Sequence, residues 1–173
     1  MKAQIKLLAL VDSKIDYLSK IETVLGLLKL QYFNATHGEV QLSVTIERKD
    51  FTGLPFEKYL SAPLGDLLGV SRTYIDTLAK SLPRNWHCVM LVVDKANWQS
   101  TIWGWNVGPF FNGFQVQTCA VGSWQKNETI LKTFSEELIH AWDNFTIPQG
   151  LYQELITALE VTNYDEDFVH AKD

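Results

Sequence analysis

The sequence predicts an α+β domain: a mixed β-sheet carrying helices, with an antiparallel hairpin at one edge. Three observations predict it. Short apolar runs that suit buried strands, Ile5–Val11 and Cys88–Val93, alternate with segments of helical period. Helical segments between the first strands imply parallel or mixed pairing with helices laid on the sheet. Asn112-Gly113, set between two aromatic runs, is a hairpin signal.

The 173 residues suffice for one domain with a real core, taken here as 1–173. Hydrophobic residues make up 46% of the chain, with 6 Trp, 9 Phe and 6 Tyr, which excludes a disordered polymer. The net charge is -5, and no basic patch marks a nucleic-acid surface. No stretch approaches the ~20 apolar residues of a membrane span. The opening Met1–Asp12 is not a secretory leader: Lys6 interrupts the apolar run and Asp12 closes it. The expectation is a soluble, cytoplasmic protein. Sequons at Asn34, Asn127 and Asn144 are then coincidental.

The elements follow in order. Residues 5–11 form a first buried strand, with Asp12 or Ser13 as the cap of a helix. That helix runs from Ile15 to Tyr32, with apolar residues at 15, 18, 21, 25, 28 and 32. Glu39–Glu47 alternates strictly, so Val40, Leu42, Val44 and Ile46 share the buried face of a strand. Thr52–Pro55 is a breaker. Phe56–Leu82 reads as mostly helical, interrupted near Pro63 or Gly69. Cys88–Val93 is a central strand, apolar on both faces. Trp103–Val107 and Phe114–Val121 flank the hairpin turn as antiparallel strands. A long helix spans Asn127–Asn144, and Pro148 and Gly150 end that region. Leu151–Val161 is a last helix before an acidic tail. Cys88 and Cys119 fall in strands and read as small buried hydrophobes.

Chemistry concentrates on the Asn127–Asn144 helix. On a wheel of about 100° per residue, Ile130, Leu131, Phe134, Leu138, Trp142 and Phe145 gather on one side. Glu136, His140 and Asp143 fall within about 60° of one another on the other side. Glu137 stands beside them, nearer the boundary. Three metal-binding side chains and a further carboxylate thus share one face.

Glu136-Glu137-Leu138-Ile139-His140 resembles the zincin metallopeptidase signature HExxH with its first histidine replaced by glutamate. The continuation His140-Ala141-Trp142-Asp143-Asn144 is similar to that of several zincin-like families. The resemblance implies a zincin-like sheet with an active-site helix, and a zinc-dependent hydrolase of peptide or protein substrates. It implies Glu137 as general base and His140 as a zinc ligand. Glu136 occupies the first ligand position. Its carboxylate can bind zinc, yet it adds negative charge and favours harder cations such as manganese. Asp143, one turn on, is the candidate third ligand, with His170, Asp165 and Glu166 as looser ones. A paired di-iron ExxH arrangement is excluded, because there is no second motif.

Two other readings stand beside this one. Glu136 can mark a domain that has lost its metal and binds a peptide or protein partner without catalysis. The same face can also be an ordinary solvated helix surface. The aromatic stretch Trp98–Trp124 offers an edge for strand addition by a peptide, but its rings read first as packing against the sheet. Gly104 and Gly108 mark bulges or close backbone approach. His37, before Gly38, reads as a turn residue and His87 as a strand-end residue.

Overall fold

The computed structural model describes residues 3–62, 65–100, 102–106 and 113–142. Its centre is a five-stranded sheet in the order β2-β1-β5-β7-β6. These strands are β1 (Ala3–Asp12), β2 (Val40–Lys49), β5 (Cys88–Asp94), β6 (Gly104–Asn106) and β7 (Gln115–Val121). β2, β1, β5 and β7 pair in parallel, whereas β6 lies antiparallel against β7 at the edge. The expected antiparallel edge is therefore present.

Strand alternation gives the sheet two cores. Leu7, Ala9 and Val11 of β1, with Cys88, Met90 and Val92 of β5, face α1 (Leu18–Ala35) and α3 (Asn127–Trp142). Leu8, Leu10, Val89, Leu91 and Val93 face the opposite side. There they meet α2 (Arg72–Ser81), Phe51, Leu54, Trp98 and Phe114. β1 and β5 read as continuous apolar runs because both of their faces are covered.

Phe56–Val70 corrects the expectation of a helix. It forms an antiparallel hairpin of β3 (Phe56–Ala62) and β4 (Gly65–Val70), a separate two-stranded sheet. Tyr59 donates its hydroxyl to the Val70 carbonyl at 2.8 Å, and the Arg72 guanidinium lies 4.6 Å from the Tyr59 ring centroid. β3 ends at Ala62 and β4 begins at Gly65, so the break falls at the proline expected to interrupt a helix. The helix is confined to α2, whose Ile75, Leu78 and Ala79 are buried.

α1 also begins later than its apolar period suggests. Its N-cap is Tyr17, with no side-chain cap. Ile15 is buried, but from the loop that precedes the helix. Asp12 belongs to β1 and accepts the Lys14 N–H at 3.0 Å, so it organises the turn and caps no helix. The expected helix at Leu151–Val161 lies outside the described residues, as do Asn112, Gly108 and the end of the strand expected to reach Val107. Among the described residues no helix is long and apolar enough to cross a membrane.

α3 is seated by Ile130, Phe134 and Leu138, all buried against the sheet and α1. Ser135 donates to Gln31 at 3.0 Å and ties the two helices together. Phe134→Ala is expected to cost about 3–5 kcal/mol, as large-to-small core substitutions do. Leu30→Ala, on the exposed side of α1, is expected to change stability by less than about 0.5 kcal/mol. Urea denaturation of the two variants against the parent checks both. Equal losses would contradict this placement of α3.

Candidate metal and catalytic site

Among the described residues, the helix face singled out in the sequence is covered in part. Glu137 is buried, with 7% of its surface exposed. Glu136 and His140 are half-buried on adjoining turns of α3. The burial arises because α3 contacts α1, β7 and β6 together, so its covered arc is wide. Asp143, His170, Asp165 and Glu166 lie outside the described residues. Among the described residues no three His, Cys, Asp or Glu side chains are gathered to hold a metal ion.

The Glu137 carboxyl sits against Gly104 of β6, where a side chain would overlap it. Its Oε2 atom is buried without a hydrogen-bond partner. Burial pushes this carboxyl well above the usual carboxylate range, and the neighbouring Glu136 charge adds to the effect. The Glu136 carboxyl is also raised by burial, against the attraction of Lys132 one turn earlier. Two adjacent acids thus share a poorly solvated site, which favours the protonated form of Glu137.

Beneath this helix, β7 presents a polar strip. Gln115 and Gln117 are buried on the same strand face as Cys119. Cys88 donates its thiol to Gln117 Oε1. The Gln115 Oε1 and Gln117 Nε2 atoms are buried and unpartnered. Both cysteines are free and buried. Burial pushes each thiol up, and for Cys119 repulsion from Glu137, whenever that acid is ionised, is the next cause. Neither is a ready nucleophile.

Gly104 and the polar strip were not assigned to the site from sequence. Gly104 carried a signal of close backbone approach, but nothing in the order of residues named the approaching group. Two further histidines, His37 and His87, lie in a turn and beside a strand. His37 has a positive φ of 49° beside Gly38 in the turn after α1. His87 accepts the Lys6 N–H through Nδ1 at 3.0 Å and stands just before β5. Burial lowers its pKa, with Lys6 acting in the same direction.

The C-terminal ends of β1 and β5 hold a second acidic group. Asp12 is fully buried; its Oδ2 accepts from the Asp94 N–H at 3.2 Å and from Asn97 Nδ2 at 2.9 Å. Tyr17 donates to Asp94 at 3.0 Å, and its hydroxyl is raised by burial and then by Asp94. These partners satisfy one another and lock the strand ends in place.

No protein-family model matches the chain. No curated protein matches it either. Among solved structures it is similar to an archaemetzincin from Methanopyrus kandleri, at 15% identity and a TM-score of 0.52. That match covers 95% of this chain and 96% of the other. It is also similar, at 7% identity and a TM-score of 0.45, to part of a chaperone–substrate complex. There the match covers 79% of this chain and 23% of the other. The archaemetzincin likeness shows that the fold is zincin-like.

The buried carboxyl has a pH signature. A carboxyl whose folded pKa exceeds its unfolded value keeps its proton in the folded state after the unfolded chain has lost it. Between those two values, rising pH weakens the fold. In chelator-treated protein, stability is therefore expected to fall above pH 4.5, the ordinary glutamate value, by up to about 1.4 kcal/mol per pH unit from this group. Glu137→Gln should remove that slope. Urea midpoints across the acid-to-neutral range measure it, and parallel pH profiles would show that Glu137 ionises freely.

Proposed function

We propose that the chain is a zincin-like, metal-dependent hydrolase of peptide bonds, with glutamate at the first metal-binding position. One observation carries the reading: a buried carboxyl with an unpartnered oxygen at Glu137, on the helix that bears Glu136 and His140. Burying an unpaired polar group costs about 1–3 kcal/mol, and strongly shifted acids cluster at functional sites.

The donor types suit a divalent cation. Glu136 offers oxygen and His140 offers nitrogen from adjoining turns, and Asp143 is the proposed third ligand. Positive charge there would offset the Glu136 charge, which is the second cause of the Glu137 shift, and favour the ionised form of both acids. Zinc is the proposed cation, with manganese favoured more than at a two-histidine site because of the harder oxygen donor. A cation held there supplies Lewis acidity toward a peptide carbonyl.

The chain's own residues do the rest. Ionised Glu137 accepts a proton from the attacking water and passes it to the departing amine. β6 closes over Glu137 and keeps bulk water away from it. The outer edge of β6 is the proposed place for an extended peptide to add as a strand.

A second reading is a zincin-like domain that binds a peptide or protein partner without catalysis. Glu136 favours it, since a carboxylate replaces the neutral imidazole of the resembling motif.

Metal titration by calorimetry separates the two. Stoichiometric zinc or manganese binding is expected, weakened by at least about 100-fold in His140→Ala. Glu136→His is expected to tighten zinc. No divalent binding at micromolar concentration would sink the hydrolase reading. Unchanged zinc affinity in Glu136→His would show that positions 136 and 140 do not converge.

A further inference from the structure

β6 is short, yet its first residue makes the closest approach to the buried acid. Gly104 pairs with Cys119 across the β6–β7 ladder. From Gly104, the direction of a side chain leads into Glu137. A Cβ there would overlap Oε1, Cδ and Cγ of that residue. Because the overlap reaches Cγ, turning the carboxyl alone does not relieve it. The whole side chain would have to leave its position.

Neither partner is free to retreat. On the strand side, Trp103 accepts the Ala120 N–H through its carbonyl at 2.7 Å. The Trp103 ring lies edge-on to Trp124 at 6.2 Å and has the Lys95 ammonium 4.5 Å from its centroid. On the helix side, Phe134 and Leu138 are fully buried and Ser135 is bonded to Gln31. The strand and the helix are fixed independently, and the space between them admits a glutamate only if position 104 has no side chain.

We infer that Gly104 is a positioning residue: its missing side chain lets the edge strand close directly on Glu137, which fixes where the carboxyl points and keeps it dry. Its catalytic meaning rests on the hydrolase reading above. The steric coupling between 104 and 137 does not.

The experiment makes Gly104→Ala in the parent chain and in a Glu137→Ala background. Overpacking in the parent is expected to lower the melting temperature of the metal-free protein by roughly 3–10 °C. In the Glu137→Ala background the same change should alter it by about 1 °C or less, since the overlapping atoms are gone. If Gly104→Ala does not fold at all, the double variant should fold, which carries the same information. In zinc-loaded protein, Gly104→Ala is expected to lower kcat for peptide cleavage about 100-fold with KM within about threefold, the mark of a misplaced group. Equal melting losses in both backgrounds would overturn the inference, as would unchanged kcat in Gly104→Ala. If the parent cleaves no peptide while the melting losses remain coupled, the hydrolase reading fails and the positioning of Glu137 by Gly104 is upheld.

Discussion

A carboxyl group placed in an apolar interior must be neutral or must have a counter-charge, because the bare anion is far too costly to desolvate. Glu137 is under that constraint. It is enclosed by α3, by β7 below and by the backbone of β6 at Gly104. Its second oxygen meets no protein donor. The rest of the arrangement around it can be understood as what holds this enclosure together. The parallel strands β1, β5 and β7 form a platform buried on both faces, and Ile130, Phe134 and Leu138 press α3 onto it.

Two acidic groups near the C-terminal ends of the parallel strands are handled in opposite ways. At Asp12, an Asn97 amide and the Asp94 backbone N–H occupy the buried carboxylate, and Tyr17 occupies Asp94. Those acids are satisfied by the protein itself and act as fasteners. At Glu137 the charge that acts on the carboxyl is that of another acid, Glu136, while Lys132 acts on Glu136. That is where the proposed cation would supply the missing counter-charge. Glu136 makes the site more anionic than a two-histidine pair would be.

Much of this was legible in the sequence where the local pattern admitted one reading. The runs at 7–11 and 88–93 are apolar at every position, which at that length suits a strand covered on both faces. The antiparallel edge followed from Asn112-Gly113 and the aromatic runs around it. Phe56–Val70 was misread because its apolar spacing suits either period, and the fact that decides it, pairing between Phe56 and Val70, is not local. Glu137 was placed near the boundary of its helix because a wheel supposes one packing partner, whereas α3 meets α1, β7 and β6 at once. For the same reason the close approach signalled by Gly104 could not be matched to the carboxyl that fills it.

The central claim is that Glu137 is a neutral, buried acid that a divalent cation converts to its charged form. The most direct measurement is the infrared spectrum of the metal-free protein at neutral pH, compared with that of Glu137→Gln. The account predicts a protonated-carboxyl carbonyl band that is absent from the variant and disappears from the parent when zinc is added. A metal-free parent with no such band, or a band that zinc leaves untouched, would contradict it.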